Sequence, residues 1–140
     1  MNWFFWALLS AVFAALTAIL AKVGVAGVNS NLATAIRSAV IVLFTWGLVW
    51  ALGEARGLTS LGRRTWVFLV LSGFATGLSW LCYFRALQLG KASQVAPVDK
   101  LSVVLAIALA GAFLGEKLTW HEWLGGCLIL AGAVVIALKP

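Results

Sequence analysis

Residues 3–21 read WFFWALLSAVFAALTAILA, nineteen positions without a charge. The reading of this stretch decides the fold. A membrane-crossing helix needs about 20 mostly apolar residues, so 3–21 is long enough to span a bilayer. A cleaved signal peptide is the competing reading. The two residues before Trp3 supply no Lys or Arg for a basic n-region, however, and further apolar runs follow. A retained first helix is therefore expected.

Four more runs of the same kind follow at 31–52, 65–87, 97–114 and 120–138. Turn-forming or charged residues separate them: Lys22 to Gly24 with Gly27 and Asn29, then Gly53-Glu54 and the loop to Arg64, then Glu116-Lys117. Pro97 suits a first helical turn, where its missing N–H costs nothing. The runs are too long for membrane strands and do not alternate. The expectation is an all-α integral membrane protein, with five transmembrane helices in a single domain over residues 1–140.

Composition agrees. The chain is 64% apolar and 10% charged, whereas a soluble domain carries about 25% charge. Its net charge of +6 is spread between apolar runs without a basic or aromatic-basic motif, so no nucleic-acid partner is expected. Basic membrane loops account for the same balance. Cys82 and Cys127, both inside apolar runs, read as buried free thiols without metal or redox spacing.

Tryptophan supports the helix count independently of hydropathy. Trp3 and Trp6 open the first run, Trp46 and Trp50 close the second, Trp66 opens the third, and Trp120 and Trp123 open the fifth. With five spans, all seven fall on the membrane face of the N-terminus, forming a one-sided belt of the rings that favour the headgroup boundary. Trp80, deep in the third run, is outside this pattern.

Polar residues mark the inward faces. Ser72, Thr76, Ser79 and Tyr83 follow at spacings of four, three and four, one narrow helical stripe with Trp80 beside it. The second run has Asn31, Thr34, Ser38 and Thr45 on one side. The fourth grades from Asp99 and Ser102 to Ala106 and Ala110, and the first offers only Ser10 and Thr17. Small and hydroxyl residues also let membrane helices pack closely, which suffices for the first run. Gly125, Gly126, Gly132 and Ala133 give the fifth run a close-approach surface suited to dimerisation; Gly73 and Gly77 form a second such pair.

Arg37, Arg85, Asp99 and Lys100 carry the largest desolvation cost, and all lie toward the face opposite the belt. Arg37 is about two turns into its helix and the deepest. Intramembrane ionisable residues usually pair and face an interior. Asp99 and Lys100, as helical neighbours, are each expected to find a partner elsewhere. Arg85 and Lys100 are also near enough to helix ends to snorkel. His121 beside Glu122 has no second His, so no metal site is expected. No nucleophile, base and orienter can be assembled, which speaks against an enzyme, and no cofactor is implied.

The stretch from Tyr83 to Leu138, with Y-F-R-A-L, F-L-G-E-K-L and W-L-G-G-C-L-I-L-A-G, resembles the EamA domain of the drug/metabolite transporter superfamily. In that family the fourth helix ends in a Gly-Glu pair, here Gly115-Glu116, before a glycine-bearing last helix. The five-helix layout matches one such repeat over essentially the whole chain. V-A-P-V-D-K-L-S (residues 95–102) and L-A-T-A-I-R (residues 32–37) look like the short, single-domain bacterial members. Many tandem members carry a proline further into helix four, near where Val103 stands here. The resemblance implies movement of a small metabolite, often export, through a cavity lined by helices one, three and four. Its four-helix multidrug relatives use a carboxylate in helix one; none is present here, so that mechanism does not carry over.

Most relatives join two repeats of five helices, which an odd count forces into opposite orientations, with a site near the midplane. A single repeat rebuilds that arrangement by pairing antiparallel with itself, which requires a weak positive-inside bias. Arg56, Arg63, Arg64 and Lys117 lie on the tryptophan face; Lys22, Lys91 and Lys139 lie on the other, joined near the interface by Arg37, Arg85 and Lys100. The expected protein is a dual-topology homodimer in the bacterial inner membrane, acting as a secondary transporter with alternating access. Its binding or gating residues are Arg37, Ser72, Thr76, Ser79, Trp80, Tyr83, Arg85, Asp99, Lys100 and Ser102, and the cationic excess favours an anionic or zwitterionic substrate. The alternatives are a non-transporting membrane subunit packing through the fifth helix, or a lipid-head-group flippase component.

Overall fold

The computed structural model describes residues 2–138, so Lys139, counted above on the second face, lies outside the described residues. Helix α1 spans Trp3–Gly24, α2 Ser30–Ala51, α3 Arg63–Leu89, α4 Ala92–Asp99, α5 Leu101–Phe113 and α6 Trp120–Ala137. A 3-10 segment, Glu54–Ser60, follows α2, and no strand occurs among the described residues. Because α4 and α5 together make one span, Ala92–Phe113, the helices provide five segments long and apolar enough to cross a membrane. This is the all-α, five-span architecture expected.

Few side chains are buried, while Phe13, Phe44, Phe68 and Phe113 are among many large apolar residues that stay exposed. A surface this apolar needs lipid or another apolar partner over it. The seven belt tryptophans are all exposed, within a few turns of a span end. Cys82 and Cys127 are exposed as well, correcting the expectation of buried thiols: an apolar run in a membrane helix marks the lipid face as readily as a core.

Two compact units make up the chain: Leu20–Gln88, and the remainder, from the N-terminal part of α1 together with Leu89 onward. Within Leu20–Gln88, a small core gathers Ala21, Val25, Phe84 and Leu87, with Ser30 and Thr34 buried beside them. Asn29 starts α2 by accepting, through Oδ1, the N–H groups of Asn31 (2.9 Å) and Leu32 (3.3 Å). Those donors would otherwise face the membrane unsatisfied. At the end of α3, Lys22 Nζ donates to the Leu87 carbonyl, placing a cation on one of the last free carbonyls of that helix.

In the other unit α6 packs against both α4 and α5. Gly126 and Ala133, two of the four residues expected at a dimer interface, are buried within the chain. A Cβ on Gly126 would meet the Ile107 side chain at 3.7 Å. Gly125 and Gly132 have no neighbour in that range. The Gly115-Glu116 pair has a structural reason: Gly115 turns the chain at φ +68°, and the Glu116 N–H returns to the Ala110 carbonyl (3.3 Å). Thr119 then starts α6, its N–H and hydroxyl both donating to the Glu122 carboxylate.

The fourth span differs from expectation. It begins at Ala92, five residues before Pro97, so Pro97 stands inside a helix instead of in its first turn. With no N–H, Pro97 cannot bond the Ser93 carbonyl, and helices yield near such a gap. The span breaks three residues later, at Lys100, whose N–H donates to Pro97 (3.1 Å) in a tighter turn.

Candidate functional site

Arg37 is the eighth residue of the 22-residue α2, inside the span by length. Its guanidinium carbon lies 4.2 Å from the centroid of the Trp80 ring on α3 and 5.5 Å from that of Phe84. This explains Trp80, the tryptophan outside the belt. An aromatic face attracts a guanidinium through its quadrupole, by about 2 kcal/mol when both are desolvated. Phe84 is almost fully buried, and Tyr83 meets it edge-on with centroids 6.5 Å apart. The cation therefore rests on a fixed aromatic floor. Among the described residues no carboxylate pairs with Arg37 and no acceptor takes its N–H groups.

Beside this floor runs the expected stripe. Ser72, Thr76 and Ser79 are exposed, while Trp80 and Tyr83 are half-buried. Thr76 donates to the Ser72 carbonyl (2.9 Å) and Ser38 to that of Thr34 (2.8 Å). A hydroxyl used in this way is satisfied in an apolar medium and still offers its oxygen as an acceptor.

Arg85 points to a different task. Its Nη1 donates to Gln88 Oε1 (3.0 Å), and Gln88 Nε2 in turn reaches the carbonyls of Val25 (3.4 Å) and Val28. Arg85, Gln88 and Lys22 thus tie the end of α3 to the turn between α1 and α2. Sequence reasoning missed Gln88 and Phe84. A glutamine at a helix end carries no signal of its own, and Phe84 read as one more apolar residue.

Asp99 and Lys100 were each expected to find a partner on another helix or in the cavity; instead they pair with each other, Nζ to Oδ2 at 3.6 Å. The correction follows from the break. In a regular helix adjacent side chains point about 100° apart, but at Lys100 (φ -70°, ψ -5°) the α-helical turn tightens and the regular bonding pattern is interrupted. Ser102 lies beyond the break in α5 and is exposed, so the stripe expected from Asp99 to Ala110 is interrupted.

Two of the surface hollows lie on α2 and α3. One, of about 350 Å³, lies where α2 meets the 3-10 segment and is lined by Thr45, Trp46, Val49, Glu54, Leu58 and Leu61. The other, about 420 Å³, runs along α3 over Gly73 and Gly77, between Phe74, Leu78 and Leu81. Among the described residues no group of three His, Cys, Asp or Glu side chains comes together to hold a metal.

Five apolar spans, a cation held on aromatic rings and hydroxyls along one helix define a multi-pass membrane protein with polar groups inside its bilayer segments. The chain belongs to the EamA-like transporter family, which matches residues 1–138. A protein of Sinorhizobium sp named "Uncharacterized transporter in cobO 3'region" is 55% identical over 136 residues, covering 97% of this chain and 96% of that protein. "Uncharacterized protein MJ1333.1" of Methanocaldococcus jannaschii is 27% identical over 77 residues, 55% of this chain and 56% of that one. No solved structure matches the chain. The protein is a membrane transporter by family.

Proposed function

We propose that the chain is a secondary transporter that exports a small metabolite across the bacterial inner membrane as an antiparallel homodimer. Ser72, Thr76, Ser79, Trp80 and Tyr83 line its path, Arg37 binds, and the Asp99–Lys100 break, with Ser102 just beyond it, gates. Arg85 braces the end of α3 beside the path. The observation that carries this reading is the exposure of Ser72, Thr76 and Ser79 in the single chain. Three hydroxyls in line on a membrane helix suit a water-filled path between two copies better than a lipid-facing surface.

Five spans per chain supply the inverted pair, because a second copy must then run the opposite way to rebuild a two-repeat transporter. Gly125 and Gly132 remain open on α6 for contact between copies, while Gly126 and Ala133 already serve the chain's own packing. The Sinorhizobium relative, 55% identical and named a transporter, supports the transport reading.

Reporters fused to the C-terminus test the orientation. Equal signal from both sides of the membrane is expected, and signal from one compartment alone would overturn the antiparallel dimer. Proteoliposomes test the activity: export-type counterflow is expected from the wild type, and unchanged counterflow in both Arg37→Ala and Asp99→Asn removes the proposed roles of those residues.

A further inference from the structure

We infer that Arg37, seated on Trp80 and Phe84, is the oxyanion-recognising group of the transport path, and that the substrate is a small metabolite bearing a carboxylate or phosphate. This rests on the transporter reading above. Trp80 and Phe84 engage the cationic charge of the guanidinium and accept none of its N–H groups in ordinary hydrogen bonds. Five donors in a rigid fork remain available, the arrangement that matches carboxylate and phosphate oxygens in pairs. A lysine could not do both tasks, since its ammonium is a point charge without a planar face.

Depth selects the source of the oxyanion. At 1.5 Å rise per residue, Arg37 lies about 5 Å from the midpoint of α2, and Trp80 about 6 Å from the midpoint of α3. Both offsets point toward the membrane face opposite the tryptophan belt, so the two helices agree. Lipid phosphates stand about 20 Å from the midplane, well beyond this position. A free metabolite is therefore the occupant, and a headgroup is not.

The proposed antiparallel pair adds a consequence. Its twofold axis lies in the membrane plane, so the two Arg37 residues sit at equal depth on opposite sides of the midplane, about 10 Å apart along the normal. An oxyanion released by one guanidinium enters the reach of the other as the protomers rock. The same passage relieves the charge of two cations held near the centre of the bilayer.

The test uses the purified full chain in dodecylmaltoside, with thermal unfolding followed against sodium phosphate and sodium succinate. Choline chloride at matched ionic strength is the control, and separate samples contain phosphatidylglycerol or phosphatidylcholine. A saturable rise with phosphate or succinate is expected. Its midpoint concentration should increase about tenfold or more in Arg37→Gln, with Arg37→Lys between, as loss of a charge-assisted hydrogen bond implies. Trp80→Phe keeps an aromatic face under the guanidinium, and its midpoint should fall between those of the wild type and Trp80→Leu. No saturable rise with either anion, or an equal one in Arg37→Gln, overturns the proposal; so does an Arg37-dependent rise with phosphatidylglycerol alone. Uptake of the labelled anion into proteoliposomes separates this from the transporter reading. Arg37-dependent binding without wild-type uptake keeps the oxyanion site and removes transport, whereas uptake undiminished in Arg37→Gln does the reverse.

Discussion

The second and fourth spans handle charge in opposite ways. Arg37 and Asp99 are each the eighth residue of their own 22-residue span. Around Arg37 the helix is unbroken, and the charge is met by aromatic rings on a second helix. Around Asp99 the helix is broken, and the charge is met by the next residue, with the Lys100 side chain exposed and Asp99 half-buried. A local ion pair neutralises itself and asks nothing of a substrate. A guanidinium on aromatic rings keeps its full charge and its donors. The difference is what the proposed division rests on, with binding at the second span and movement at the fourth.

The sharpest way to break this contrast is to compare affinity with rate. Arg37→Gln is expected to raise KM for the transported anion ten- to hundredfold, roughly one lost charge-assisted hydrogen bond, as read from initial uptake in proteoliposomes. A wild-type KM in that variant would erase the distinction between the spans. Next in size is Leu87→Ala, which empties a fully buried position about one turn beyond Phe84 on α3. A stability loss of about 2 kcal/mol is expected in mixed-micelle unfolding, the low end for such truncations because lipid supplies no hydrophobic drive. Trp80→Leu sharpens the role of the floor, weakening anion binding by about 1 kcal/mol while Trp80→Phe recovers part of it. Smallest is Asp99→Asn, which should change stability by no more than about 0.5 kcal/mol, because exposed pairs contribute little. Its effect should fall on maximal rate with KM unchanged; a KM shift matching that of Arg37→Gln would place both charges in one binding role.

Much of this fold was legible in the chain. Long apolar windows and the position of seven tryptophans gave the five spans, since lipid imposes length and interface chemistry on any sequence that crosses it. The depth of Arg37 was legible for the same reason. Its partners were not, because a contact between a cation on one helix and a ring on another leaves no spacing to read. The start of the fourth span was not legible, because the apolar run begins at Pro97 and a proline suits a first turn, whereas the helix begins five residues earlier. Lys91, Ser93 and Gln94 look like loop, yet α4 begins among them at Ala92. Thr119 and Glu122, the ends of a T-x-x-E pattern, are a capping signal legible in the sequence.

The break at Lys100 also bears on how the protein is made. Insertion machinery judges a segment by its own residues, and Asp and Lys near a helix centre each oppose insertion by about 2.5–3.5 kcal/mol. The fourth span carries both, at positions eight and nine of 22. It is a poor stop signal by itself. Helix α6, which packs on α4 and α5 and meets Ile107 of α5 at Gly126, follows within a few residues of α5. The last two spans are thus expected to enter the bilayer together as one hairpin. A chain truncated after Phe113 should leave residues 92–113 accessible to protease, whereas the full chain protects them.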